Sequence, residues 1–206
     1  MVPGSSATPA GGQPGTGEAI ICFSQGTMIR TPHGERRIEH LSEGDLVVTL
    51  DCGPQPIRWI GSRSVRATGT LAPVRFARGT IGNERDLFVS PQHRMLLSGF
   101  KARQATGRDE VLAPALALVD NFRVSVAYGG MVTYHHMMFD RHQIVIANGA
   151  PSESFHPGGI GLDTIGARER DSLFRVFPAL RADAQTYGRP SRHCIGMNEI
   201  RNLAVG

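Results

Sequence analysis

The sequence is poor in the features that mark several common classes of protein. Its three cysteines stand far apart, at positions 22, 52 and 194, without a Cys-x-x-Cys pair, so they form neither a disulfide framework nor a zinc ribbon. No apolar run approaches the roughly 18 residues that a membrane-spanning helix needs. The first residues lack the basic start and apolar stretch of a signal peptide. The compartment therefore stays open between the cytoplasm and export as part of a larger protein.

The chain also lacks a dense cluster of positive charge. Its 22 basic residues, nearly all arginine, are scattered among 18 acidic residues, and the net charge is only +4. Proteins that bind nucleic acid usually concentrate basic residues on one face or along one helix. We therefore expect no nucleic-acid partner and no membrane span. With 206 residues, of which 40% are hydrophobic, the chain is long enough to form one stable core.

Most of the chain consists of short apolar runs separated by turn residues such as Asn148-Gly149. This pattern predicts many short strands and an all-β domain over residues 19–155, with one helix near residues 112–118. The clearest strand candidates are residues 46–50, 57–60, 74–76, 87–89, 122–126, 132–134 and 143–146.

The two ends of the chain differ from this central region. Residues 1–18 are rich in Gly, Pro, Ser, Thr and Ala and contain almost no bulky apolar side chain, which predicts a flexible leader. Residues 156–206 start with a Gly/Pro-rich connection and then contain two helix-compatible stretches, at about 163–186 and 196–204. They predict a partly helical C-terminal extension packed on the β domain.

One thiol stands at the start of the first predicted strand, and a hydroxyl and an imidazole follow some seventy residues later. Cys22 could attack the carbonyl of Ile21, which would turn a stable amide into a reactive thioester. Such a reaction needs a proton donor for the Cys22 nitrogen and a hydrogen-bond donor for the Ile21 carbonyl. Ser90 and His93, three positions apart just past a strand, are candidates. The alternative is a buried structural cysteine beside an ordinary surface histidine.

A second histidine group comprises His135, His136 and His142, with Asp140 between them. On alternating strand positions His136, Asp140 and His142 share one face, while His135 points away. No cysteine or glutamate completes a ligand set, so we expect no metal site. A second acid/base group and a solvated strand end are both compatible with the pattern.

Four segments, taken in order, resemble a known family. They are the Cys22-Phe-Ser-Gln-Gly-Thr-Met-Ile run, the Ile-Glu-x-Leu-x-x-Gly-Asp pattern of residues 38–45, the Ser-Pro-Gln-His of residues 90–93, and residues 139–149. Together they resemble the Hint domain of the Hedgehog/intein autoprocessing superfamily, in its bacterial Hint-like form. The resemblance covers about residues 19–155.

The resemblance implies an all-β fold of the horseshoe-shaped, pseudo-symmetric Hint type and a self-processing activity without a cofactor. Cys22 would be the nucleophile, and His93 would protonate the Cys22 nitrogen. Ser90 stands where the family often has threonine and would hydrogen-bond at the same peptide. Asp140 and His142 match acidic and histidine positions and would assist acyl transfer or thioester breakdown.

Two departures narrow the expected reaction. Where splicing domains end in His-Asn followed by a nucleophile, this chain has Glu153-Ser154-Phe155, so splicing is not expected. Residues 61–64 lack the acidic residue expected of sterol transfer. The remaining prediction is a single-turnover cleavage of the Ile21–Cys22 bond. Its substrate is the chain's own N-terminal segment, and water or a small nucleophile accepts the acyl group. The alternatives are a degenerate, non-catalytic Hint domain acting as a structural or interaction module, and a hydrolase acting on other chains.

Overall fold

The computed structural model describes residues 21–158, 161–196 and 199–200. Within these ranges strands dominate, which confirms the all-β prediction. The strands are β1 (Phe23–Ser24), β2 (Met28–Thr31), β3 (Gly34–Arg37), β4 (Leu46–Thr49), β5 (Gly53–Pro56), β6 (Trp59–Arg66), β7 (Val74–Phe76), β8 (Leu87–Val89), β9 (Arg94–Ser98), β10 (Glu110–Pro114), β11 (Val124–Val126), β12 (Met131–Met138), β13 (Ile144–Ala147), β14 (Ala150–Glu153) and β15 (His193–Cys194). The α-helices are α1 (Phe100–Thr106) and α2 (Ala167–Val176), and short 3-10 turns connect other elements.

The strands form two sheets. The first has six strands in the order β11-β7-β8-β1-β12-β6, and the second runs β15-β10-β9-β14-β13-β2-β3, with β4 pairing β13 and β5 pairing β4. The pairs are antiparallel except β10 with β15, which are parallel. The short β1 lies inside the first sheet, between β8 and β12. This position surrounds the residues around Cys22 with neighbouring strands on both sides.

A single large apolar cluster joins the two sheets. Phe23, Phe76 and Leu87 come from the first sheet, Met95 and Val145 come from the second, and all are 1% exposed or less. Burying a side chain of this size stabilises the fold by about 1.5–3 kcal/mol relative to leaving it in water. The predicted strands at 74–76, 87–89 and 143–146 all supply residues to this core, because alternate residues of a short strand face it.

The hairpin between β13 and β14 depends on the Asn148-Gly149 pair. Both residues have positive φ, 49° and 89°, as a two-residue hairpin turn with the correct twist requires. The Asn148 side chain also accepts a hydrogen bond from the Met28 backbone N–H at 2.7 Å and donates to the Asp86 carbonyl at 2.8 Å. One turn residue thus ties three separate parts of the chain together.

The helix expected near residues 112–118 is wrong for its first half. Residues up to Pro114 belong to β10, and only Ala115–Leu118 form a short 3-10 turn. The α-helix of this region is α1, whose end is set by Gly107 in the left-handed conformation (φ 69°). Pairing of β10 with β9 over five residues outweighs the local preference of an Ala/Leu-rich segment for helix.

The part of the chain after residue 155 mixes helix and strand. Helix α2 lies within the predicted stretch 163–186, three short 3-10 turns overlap that stretch, and β15 then adds to the second sheet. Most of the second predicted stretch, 196–204, and all of the predicted leader, 1–18, lie outside the described residues. In the described ranges no helix has the length and apolar character to cross a bilayer.

Candidate active site

Cys22 lies between two neighbouring strands whose registers decide what faces it. Phe23 pairs with Val89 of β8 on one side and with His135 of β12 on the other. Continuing both antiparallel registers by one residue places Cys22 opposite Ser90 and opposite His136. Side chains that are directly opposite in antiparallel strands come into contact. The sheet itself therefore brings a thiol, a hydroxyl and an imidazole together from positions up to 114 residues apart.

Ser90 holds the Cys22 backbone at both of its polar groups. The Ser90 Oγ accepts a hydrogen bond from the Cys22 N–H at 2.8 Å, and the Ser90 N–H donates to the Cys22 carbonyl at 3.0 Å. The nitrogen of the Ile21–Cys22 peptide bond thus has a hydroxyl oxygen next to it. Any reaction that releases this nitrogen must give it a proton, and the Ser90 hydroxyl lies within hydrogen-bond distance.

His136 contacts both the thiol and the carbonyl of the same peptide. Its Nδ1 lies 3.0 Å from the Ile21 carbonyl oxygen, and both ring nitrogens lie 3.1 Å from the Cys22 Sγ. Since Sγ is equally far from both nitrogens, it sits beside the face of the imidazole and not in line with one nitrogen. The arrangement suits an Nδ1–H that donates to the carbonyl while the sulfur stays close to it.

Burial controls the charge of both groups. Cys22 and His136 are each 1% exposed. Burial raises the pKa of the Cys22 thiol well above its usual value, and the positive charge of Arg63 partly opposes this. Burial lowers the pKa of His136 to about 3, against the opposing effect of its hydrogen bond with the Ile21 carbonyl. At neutral pH the resting site therefore holds a neutral thiol and a neutral imidazole.

His93 is buried next to this site, but its imidazole ring has no hydrogen-bond partner among the described protein atoms. Its backbone N–H donates to the Ser90 carbonyl at 3.1 Å, so the two residues share one tight turn. Its ring packs edge-on against Phe23, with 4.3 Å between ring centroids, and neither ring nitrogen has a hydrogen-bond partner in the described part of the chain. Burial lowers the pKa of His93 to about 4. A buried imidazole whose nitrogens form no hydrogen bond lowers the stability of the fold, and such a group in a native protein often has a functional role.

Asp140 and His142 take different positions from those that strand alternation predicted. Strand β12 ends at Met138, so the alternation that would align them with His136 does not continue. The Asp140 carboxylate is 69% exposed and lies 3.3 Å from the guanidinium of Arg58. His142 is buried and is within hydrogen-bond distance of Ser154 and Ser191. Among the described residues, Ser90 and His136 lie within hydrogen-bond distance of Cys22, and Asp140 and His142 do not. A catalytic role for Asp140 or His142 stays a prediction.

His142 belongs to a buried polar cluster that includes a carboxylate. Its Nε2 lies 3.5 Å from the Glu153 carboxylate, and its Nδ1 accepts a hydrogen bond from the Ser191 N–H at 3.0 Å. Burial opposes ionisation of Glu153, but the hydrogen bond and charge of His142, together with Arg94, leave its pKa below the usual value. This cluster connects β14 to the C-terminal part of the chain.

His136 is the residue that reasoning from the sequence missed. The sequence placed it in a histidine group, without a role at the Cys22 peptide. Its only signal was the pair of histidines within a strand, and alternation alone does not say which residue of a distant strand lies opposite. The pairing Phe23 with His135 supplies that information.

Over the described ranges no group of three or more His, Cys, Asp or Glu side chains could hold an ion. The three cysteines are free thiols: Cys22 is buried, Cys52 is exposed and Cys194 is half-buried.

Comparison with known protein families confirms the Hint resemblance. The family model described as the Hint domain matches residues 21–159. Among solved structures, the bacterial intein-like domain from Clostridium thermocellum is 12% identical with a TM-score of 0.45, and the alignment covers 66% of this chain and 99% of that one. The gp41-1 intein is 11% identical with a TM-score of 0.41, covering 64% and 96%. The MchDnaB-1 intein is 14% identical with a TM-score of 0.40, covering 63% and 98%. No curated protein matches the chain significantly.

The matched region contains every strand from β1 to β14 and the whole Cys22 site. It amounts to more than half of the chain. The protein belongs to the Hint domain family.

Proposed function

We propose that this domain cleaves its own Ile21–Cys22 peptide bond through a thioester, without splicing. The observation that carries the proposal is that the Cys22 thiol, His136 and Ser90 all lie beside the Ile21–Cys22 peptide bond. The thiol of Cys22 and the Ile21 carbonyl both contact His136, and the peptide nitrogen contacts Ser90. These are the nucleophile, the carbonyl donor and the group beside the leaving nitrogen that such a reaction needs.

The first step exchanges nitrogen for sulfur at the Ile21 carbonyl carbon. A bond forms between Sγ of Cys22 and this carbon, the carbon–nitrogen bond breaks, and the thiol proton ends on the Cys22 amino group. His136 Nδ1–H stabilises the negative charge that develops on the carbonyl oxygen. The Ser90 hydroxyl lies 2.8 Å from the leaving nitrogen and relays a proton to it. The backbone N–H of His93 binds the Ser90 carbonyl in the same turn.

The second step breaks the thioester. Water or a small nucleophile such as hydroxylamine attacks the carbonyl carbon, the carbon–sulfur bond breaks, and Cys22 becomes a free N-terminal thiol. Turnover within an hour needs a barrier of about 22 kcal/mol, which a few positioned groups suffice to reach. The β-branched side chain of Ile21 shields its carbonyl, so breakdown of the thioester is the slower step. Hydroxylamine is therefore expected to accelerate release of residues 1–21.

The experiment that tests the proposal is an intact-mass time course. Freshly made protein is followed with and without thiol or hydroxylamine, beside a Cys22→Ala variant. A fragment beginning at Cys22 that is absent from the variant supports cleavage at this bond. Wild-type protein that stays uncut under every condition contradicts it.

The alternative is a non-catalytic Hint domain that serves as a structural or interaction module. The burial of the site favours this alternative, because Ile21, Cys22 and His136 are all 2% exposed or less and an acyl acceptor must reach them. The same time course decides between the two. If wild-type protein stays uncut and hydroxylamine detects no thioester at Cys22, the result favours the non-catalytic module.

A further inference from the structure

The side chain on the acyl side of the proposed scissile bond is almost completely enclosed. Ile21 is 2% exposed and belongs to a buried apolar cluster. Part of this cluster comes from the β domain, and the rest comes from the chain after residue 160. The buried members are Ile21, Trp59, Met138, Phe155, Ile165, Leu173 and Leu180.

Three of the seven buried members of this cluster lie outside the matched family region. The family match ends at residue 159, whereas Ile165, Leu173 and Leu180 follow it. Leu173 belongs to helix α2 and is completely buried, and Leu180 belongs to the next short turn. The C-terminal extension therefore adds three apolar side chains to the cluster that contains Ile21, and the matched domain alone does not supply them.

Hydrogen bonds attach the C-terminal extension to the β domain. The Trp59 indole N–H donates to Ser172 Oγ of helix α2 at 2.7 Å. The Tyr187 hydroxyl donates to the Phe139 carbonyl at 2.9 Å. Farther along, Arg192 forms ion pairs with Asp51 and Glu110. Because the extension is attached at several points, its apolar side chains are held in the cluster that contains Ile21.

Two aromatic residues connect this cluster to the reacting groups. Trp59 and Phe155 both belong to it, and their rings lie 6.0 Å and 5.2 Å from the His136 ring. A change in how the Ile21 side chain packs therefore alters how its carbonyl sits against His136. Misplacing a reacting group by 1 Å is enough to slow a reaction by about 100-fold.

We propose that the C-terminal extension forms an acyl-side subsite that selects a large aliphatic residue before Cys22. This inference rests on the proposed cleavage and names the substrate class of that site: N-terminal segments that end in a branched aliphatic residue. A smaller residue leaves a void in the subsite, a larger one overfills it, and a charged one loses its hydration without gaining a partner.

A size-exchange experiment tests the subsite directly. Hydroxylamine-driven cleavage is measured for Ile21, Ile21→Ala and Ile21→Phe, each with Leu173 and with Leu173→Ala. With the native subsite we expect both variants at residue 21 to cleave at least about tenfold more slowly than Ile21. With Leu173→Ala, we expect Ile21→Phe to recover to within a few-fold of native cleavage while Ile21 itself slows.

Matched variants separate selectivity from general damage to the fold. Leu112→Ala removes the same atoms from an equally buried position in a cluster without Ile21, and it should leave the order of preference at residue 21 unchanged. Leu180→Ala provides a second subsite variant if Leu173→Ala does not fold. An order of preference at residue 21 that is the same with native and altered subsites overturns the proposal.

A measurement without cleavage distinguishes failure of the subsite from failure of the reaction. In a Cys22→Ala background, thermal unfolding of Ile21→Ala, Leu173→Ala and the double variant reports whether the two side chains are coupled. Non-additive shifts in melting temperature support the subsite, and additive shifts overturn it. If the shifts are non-additive but wild-type protein never cleaves, the proposed reaction fails and the role of the cluster in selecting a substrate fails with it.

Discussion

Replacing His136 by alanine is expected to slow formation of the thioester at the Ile21–Cys22 bond by about 100- to 1,000-fold. The imidazole Nδ1 lies 3.0 Å from the Ile21 carbonyl oxygen, in position to donate to the oxyanion that forms there. Loss of one such donor in other acyl-transfer sites costs about 2.7–4 kcal/mol of transition-state stabilisation, which corresponds to this range of rates. His136 is neutral at rest because burial lowers its pKa to about 3, so a neutral donor is lost.

The assay must make thioester formation the slow step. In saturating hydroxylamine every thioester is captured, so the rate at which residues 1–21 are released equals the rate of the acyl shift. Intact mass spectrometry at fixed times gives this rate. Circular dichroism and thermal unfolding show whether each variant is folded.

His135→Ala provides the matched control for this experiment. It removes the same atoms from the adjacent position of β12, where the side chain is 8% exposed and directed to the other face of the strand. We expect it to cleave within about threefold of wild type. The reasoning is refuted if folded His136→Ala protein cleaves as fast as the His135→Ala control.

Three further outcomes are expected. Both buried histidines of the site have pKa values lowered to about 3 and about 4, below the usual 6.5 or so, so the unfolded chain takes up protons first as the pH falls. Their contribution to stability is complete above about pH 6.5 and is lost toward pH 4; urea unfolding should show a loss of about 2 kcal/mol per histidine at pH 5, and a flat profile would contradict their burial. A thiol reagent should label Cys52 within minutes and leave Cys22 unlabelled until the protein is denatured, since the former is exposed and the latter is buried. Gly149→Ala should destabilise the fold by about 2 kcal/mol in urea, because Gly149 has φ +89° and an added Cβ would come within 2.8 Å of the Glu84 side chain and 3.2 Å of its backbone nitrogen. Gly79→Ala, where φ is +79° but nothing lies within 4 Å, should cost about half as much, and equal costs would rule out the contact.

Several parts of the fold were predictable because local chemistry decides them. The runs at residues 74–76 and 87–89 are strands within the bounds read from the sequence, since β-branched and aromatic residues alternate there between buried and half-buried positions. The Asn148-Gly149 turn follows from the positive φ that both of its residues tolerate. The strand at residues 110–114 was not predictable, because its apolar residues suit helix and strand equally and pairing with β9 makes the choice.

The sequence by itself determined the Hint family and the all-β class, and from an ordered set of motifs it predicted Cys22, Ser90 and His93 as site residues. These conclusions need only residue order and short-range patterns. The register of β1 against β12 was decided by the tertiary structure, and it places His136 beside Cys22. The tertiary structure also decided that Ile21 shares one buried cluster with Leu173 of helix α2. Both depend on which distant segments pack together, and a period-two strand pattern is equally compatible with several partners until the whole core selects one of them.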